Sequence, residues 1–143
     1  MKEIVGNIWD FHKQGKFIAI TTNGTIRKDG ACVMGKGVAA ECKSRYPELP
    51  YELGRKLKIA GNRPFLFEPG IVTFPVKHNW WEKADIKLIR KSAQFLQESA
   101  IRELYLVRPG CGNGGLDWEK EVKPVLEKIL DDRFIVVNLE ENP

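Results

Sequence analysis

The sequence predicts a three-layer α/β/α domain with a central mixed sheet. Three observations point there. Short apolar runs alternate with amphipathic segments, two glycine-rich loops each follow a strand and open a helix, and 143 residues suit one core. Residues 1–143 are expected to form a single domain, with no internal repeat or low-complexity stretch.

The elements follow in order. Ile4-Val5-Gly6-Asn7-Ile8 is a short β-rich run, and Phe17 to Thr22 is a near-continuous apolar stretch ended by the turn pair Asn23-Gly24, as in a buried central strand. From Gly37 a helix runs to Tyr46 and stops before Pro47; a second covers Tyr51 to Ala60 and closes on Gly61. Phe65-Leu66-Phe67 and Ile71 to Phe74 are strands across the turn Glu68-Pro69-Gly70. Asp85 caps a helix whose apolar positions Ile86, Ile89, Ala93 and Leu96 recur at helical spacing. Leu104 to Val107 is the next strand. Val122, Val125, Leu126, Ile129 and Leu130 mark an amphipathic helix beginning near Pro124, with Trp118-Glu119 as a preceding turn, and Phe134 to Val137 closes the sheet.

Composition narrows the function classes. No apolar run approaches the ~18 residues of a membrane span, and the start of the chain carries no signal or transit pattern, so a cytoplasmic protein without a membrane partner is expected. Cys32, Cys42 and Cys111 form neither an even disulfide set nor a CxxC pair, and the two histidines add no zinc spacing. Neither a metal nor a resident cofactor is expected. The net charge of +4 is mild and spread out. Nucleic acid stays open as a partner, because Lys77 to Lys83 interleaves basic residues with Trp80 and Trp81.

The glycine loops carry the chemistry. Glycine lets backbone approach a ligand closely, and unpaired N–H groups at a helix N-terminus attract anions, so two such loops suggest a diphosphate between them. Gly30 to Gly37 nearly fits the P-loop, but Gly37 stands where a hydroxyl would hold Mg²⁺. Gly110, Gly112 and Gly115 formally fit the dinucleotide fingerprint, with Glu140 at the end of the next strand, yet only one βαβ unit follows. Ligands in such folds lie beyond the carboxyl ends of the central strands, where both loops and the segment after Phe74 fall.

Asn7, Asn23, VMGKGVA, FPVK and PGCGNGGLDW together resemble a macro domain, over essentially the whole chain. The likeness is to the branch containing the DarG antitoxin, the terminal ADP-ribose protein glycohydrolase and small phage and bacterial relatives. It implies a domain that binds ADP-ribose or an ADP-ribosylated macromolecule, and in this branch often an ADP-ribosyl hydrolase. A reader without turnover, or a phosphatase acting on ADP-ribose 1″-phosphate, are the alternatives.

By position, the resemblance implies that Asn7 meets the adenine, Asn23 the distal ribose, and Gly35, Lys36, Gly37 and Val38 the diphosphate together with Gly112, Asn113, Gly114 and Gly115, with Ile8, Gly110 and Cys111 as further ligand-binding positions. Lys77 matches the catalytic lysine. It acts either as a Schiff-base nucleophile or as a cation stabilising the leaving group. The sequence departs from the pattern in four places. Asn7 stands where most members have aspartate, Asn113 replaces a leucine, the second loop has no carboxylate at Gly114, with nearby Asp117 reading as the N-cap of the Trp118 turn, and the stretch from Gly24 to Ala31 is longer and expected to overhang the ribose end. On that stretch Arg27 and Lys28 are candidates to grip a phosphate, and His78 is a candidate acid or base.

Overall fold

The computed structural model describes residues 1–139; Glu140 lies outside them. Its elements are β1 (Lys2–Val5), α1 (Ile8–Lys13), β2 (Ile18–Asn23), α2 (Gly37–Arg45), α3 (Leu49–Ala60), β3 (Leu66–Phe67), β4 (Ile71–Lys77), α4 (Ile86–Gln97) and β5 (Leu104–Leu106). A π-helical turn over Trp118–Val122 then leads into α5 (Lys123–Ile129), and β6 (Phe134–Asn138) follows. The strand order is β1-β6-β5-β2-β4-β3. Every neighbouring pair is parallel except β3 with β4, so the sheet is mixed as expected.

The period-2 alternation of the strands divides the core. Ala19, Phe74, Leu106 and Val136 face one side, where Ile89, Ala93 and Leu96 of α4 and Val122 and Leu126 of the last helical segment cover them. Ile18, Ile20, Tyr105 and Val137 face the other, under Trp9 of α1, Cys42 of α2 and Leu53 and Leu57 of α3. That gives the three layers. Among the described residues, no helix is long and apolar enough to cross a membrane.

Four local differences from the expected elements matter. β1 ends at Val5, and Asn7, expected within that run, caps α1 by accepting from the Trp9 amide at 2.9 Å. A helix of six residues is too short to display a period, which is why it reads as the tail of a strand. α3 starts two residues early because Pro50 is tolerated in its first turn. β4 runs on through Pro75 to Lys77: β3 pairs only with Val72 and Ile71, so the ring sits where β4 has no neighbour on that side. Trp118 to Val122 winds as a π turn where a plain turn was expected, with Asp117 accepting from the Lys120 amide at 2.8 Å.

Gly54 joins α3 to the loop after β2. A Cβ there would lie 1.8 Å from the Gly30 carbonyl oxygen, so Gly54→Ala must push the 24–33 segment away. We expect that variant to lose about 2 kcal/mol of stability, the scale of overpacking. Thermal denaturation checks it, and an unchanged midpoint would show that the contact is soft.

Candidate functional site

A cleft of about 700 Å³ crosses the carboxyl edge of the sheet, lined from the ends of β1, β6, β5, β2 and β4. This is the size of a small-ligand site. At a strand spacing of ~4.8 Å, the five strands spread it over roughly 19 Å. Its charged lining is Arg27, Lys36, Lys77 and Arg108 against Glu41, and Glu41 accepts from the Trp9 indole at 3.1 Å. The cleft favours an anion.

The first glycine loop ends as the N-terminus of α2. Its N-cap, Lys36, makes no side-chain cap, and the first helical bond runs from Ala40 to the Lys36 carbonyl at 3.2 Å. The amides of Gly37, Val38 and Ala39 are therefore left for a ligand by helix geometry. Gly37 has φ +57°, a conformation that glycine adopts without cost.

The second loop faces the first. Where Gly37 would carry a Cβ, the side-chain nitrogen of Asn113 lies 3.2 Å away. Within this loop Leu116 donates to the Gly110 carbonyl at 2.9 Å and Gly115 to the Gly112 carbonyl at 3.1 Å, folding it into a turn. Gly114 is required here: a Cβ would sit 2.4 Å from the Gly110 oxygen and 2.8 Å from the Ala84 side chain.

Lys77 is aimed by a β-bulge. The β2–β4 register shifts between Thr22, opposite Pro75, and Asn23, opposite Lys77, so one extra residue bends the strand end. The carbonyls around the bulge are satisfied from outside the ladder: Ser92 Oγ donates to Pro75, the Asp85 amide to Val76, and Asn62 Nδ2 to Lys77. Half-buried Lys77 then donates from Nζ to the carbonyls of Asn113, at 3.3 Å, and Trp80, at 3.4 Å.

Of the residues singled out from sequence, Asn7, Ile8, Asn23, Gly35, Lys36, Gly37, Val38, Lys77, Gly110, Gly112, Asn113 and Gly114 line this one cleft. Asn23 is used by the fold as well. Its Nδ2 donates to the Val33 carbonyl and its Oδ1 accepts from the Thr25 amide, both at 3.0 Å, so it ties the first loop to β2. Cys111 and Gly115 stand outside the lining. Cys111 packs on the core with Sγ donating to the Pro109 carbonyl, and the Gly115 amide is consumed within its own turn. Arg27 reaches the cleft, whereas Lys28 does not. His78 also misses it: Nε2 meets the Asp85 carboxylate at 2.9 Å, a bond that holds that carboxyl below its usual range.

Sequence reasoning passed over Arg108 and Glu41 in the lining, while Trp80, singled out from sequence for its basic neighbours, also lines the cleft. Arg108 was findable as the first charged residue past β5, at a strand carboxyl end; its guanidinium lies 5.2 Å from the Trp118 ring centroid. Among the described residues there is no group of His, Cys, Asp and Glu suited to a metal ion.

Burial pushes the Cys111 thiol up to about 11 and those of Cys32 and Cys42 to about 12. Thiolate is the reactive form, so the folded protein is expected to resist iodoacetamide at pH 8 and to take up label at all three cysteines in denaturant. Mass spectrometry reads the outcome.

No family model matches the chain. A DNA ADP-ribosyl glycohydrolase of Mycobacterium tuberculosis is 39% identical over 103 residues, 61% of this chain and 29% of that protein. One from Thermus aquaticus is 32% identical over 114 residues, 69% of this chain and 31% of that protein. The chain thus spans under a third of these relatives. The macrodomain of Thermus aquaticus DarG superposes with a TM-score of 0.71 at 28% identity, 95% of each chain being covered. Thermosipho africanus DarTG in complex with ADP-ribose gives 0.77 at 23%, covering 99% of this chain and 42% of that one. With its two facing glycine loops on the carboxyl edge of this sheet, the chain is a macrodomain of the DarG-like kind.

Proposed function

We propose that the cleft binds ADP-ribose and that the domain hydrolyses the bond joining it to a base in DNA. The observation that carries this is the placement of Lys77 Nζ on the Asn113 carbonyl: the one reactive cation of β4 is moored to the loop that faces the α2 N-terminus. A diphosphate on the amides of Gly37 to Ala39 and of Gly112 to Gly114 neutralises charge against two sets of backbone donors and the lining cations. The sugar beyond it then lies at the β2–β4 end with Asn23, Lys77 and Trp80, and the nucleoside at the β1–β6 end with Asn7, Ile8 and Val137.

The relatives named as DNA ADP-ribosyl glycohydrolases support the reaction class and substrate. In the step itself the C1″–N bond breaks, its electron pair leaves with the base, a water oxygen bonds to C1″ as hydroxyl, and the proton that water gives up ends on the base nitrogen. The two carbonyls that accept from Lys77 Nζ hold it at the β4 end of the cleft, and we assign it the stabilisation of the departing base. Glu41 is the one carboxylate in the lining among the described residues, and it is held by Trp9, which supports chemistry centred on the lysine.

Lys77→Ala is expected to keep ADP-ribose affinity in calorimetry while release of ADP-ribose from a modified oligonucleotide falls by about 100-fold, the scale of losing one preorganised donor. Gly114→Ala is expected to lose both. Wild type that binds ADP-ribose but is as inert as Lys77→Ala is a reader, and the hydrolase reading is wrong. Asn7→Asp keeps a capping oxygen for Trp9 and turns the neutral acceptor into a charged one, so ADP-ribose binding is expected to tighten on the order of fivefold. The same titration measures it.

A further inference from the structure

Lys77 begins a loop that the fold holds tightly yet uses to display two large aromatic rings. Trp80 is 49% exposed and Trp81 64%, while the other tryptophans, Trp9 and Trp118, are buried at 4% and 5%. The loop is tethered along its length. The Trp80 amide donates to Thr25 Oγ1 at 3.0 Å, its carbonyl accepts from Lys77, Glu82 donates back to Asn79, and Ala84 donates to Gly114 of the second glycine loop. Two adjacent exposed indoles on tethered backbone form an apolar patch, the kind of surface that marks interaction sites.

Their geometry suits flat partners. The rings meet edge to face, with centroids 5.9 Å apart at 88°, which leaves most of the indole faces open. Trp80 also lines the cleft beside Lys77, so the aromatic surface is continuous with the place where a sugar's C1″ substituent must emerge. Cations stand on the neighbouring segments. Arg27 also lines the cleft, Lys28 follows it and is exposed, and Lys83, two residues after Trp81, runs along Gly115. Carboxylates lie among these cations: Asp29 pairs with Arg27 at 3.9 Å and accepts from the Ala31 amide, Asp85 meets His78, and Glu82 stands in the loop itself, so Lys28 and Lys83 carry most of the positive charge offered to a strand.

We infer that Trp80, Trp81 and the cations around them form a stacking platform for single-stranded nucleic acid, which receives the nucleotides flanking the base that carries ADP-ribose. Bases stack on the indoles irrespective of sequence, and the strand's phosphates meet Arg27, Lys28 and Lys83. This rests on the hydrolase reading for the modified base, but the platform acts on unmodified nucleotides and is tested without turnover.

The probe is unmodified single-stranded hexathymidylate, titrated into the protein while tryptophan fluorescence is followed. Saturable quenching of the exposed pair is expected, weakened by salt. Trp81→Ala, which lies outside the cleft lining, is expected to bind the strand about 10-fold more weakly with unchanged ADP-ribose affinity, and Trp81→Phe to recover most of the loss. The inference is overturned if wild type shows no quenching at low salt, if Trp81→Ala binds the strand like wild type, or if a hairpin duplex quenches as strongly. It is overturned equally if Trp81 governs affinity for an ADP-ribosylated peptide and not for the strand. Because ADP-ribose is titrated separately, an inactive cleft and an absent platform give different results.

Discussion

Two backbone turns must stand face to face with their amides unspent, and the rest of the cleft is arranged to keep them so. Helix geometry leaves the first set at Gly37 to Ala39, since Lys36 provides no cap. Close packing keeps the second set in place: Gly114 fits over the Gly110 carbonyl and beneath Ala84 only because it has no side chain. Had either turn been capped by a side chain or propped open by a Cβ, the cleft would lose its paired donors. The second turn also reaches β4, because its Asn113 carbonyl accepts from Lys77 Nζ.

Precision at the β4 end comes from irregularity. A bulge opposite Thr22 and Asn23 turns the strand end, and each carbonyl it frees finds a donor on a neighbouring element. Buried backbone oxygens without partners would cost more than the bulge gains. Asn23 does comparable work across the sheet edge, since both ends of its amide bind backbone and hold the loop leading to the α2 N-terminus. Lysine and asparagine therefore meet as neighbours in a register that β2 and β4 share.

Charge and hydrophobicity are distributed along the cleft in keeping with a long anion. Four cations line it and its single acid is tied to an indole, while backbone dipoles supply the specific donors among the described residues. The rim at Trp80 and Trp81 continues this surface outward with aromatic faces. The lysine of the cleft lining and the two exposed indoles thus share one loop, which runs from Lys77 to Asp85.

Much of this was legible from residue order alone. Strands such as Ile18 to Thr22 and helices such as that begun by Asp85 announce themselves because period and caps are local properties. Glycines between a strand and a helix likewise marked the cleft, since their meaning depends on immediate neighbours. Six-residue α1, the π turn at Trp118, the bulge before Lys77 and the fit of Gly54 against Gly30 were beyond it. So were the inward turn of Cys111, the pairing of His78 with Asp85 and the arrival of Arg108 and Glu41 in the lining. α1 is too short to show a period, and the local bonds of Cys111 and His78 follow no sequence pattern. The bulge, the fit of Gly54 and the arrival of Arg108 and Glu41 instead depend on contacts between residues distant in the chain, which exist only once the strands have taken their order and brought separate strand ends to a common edge.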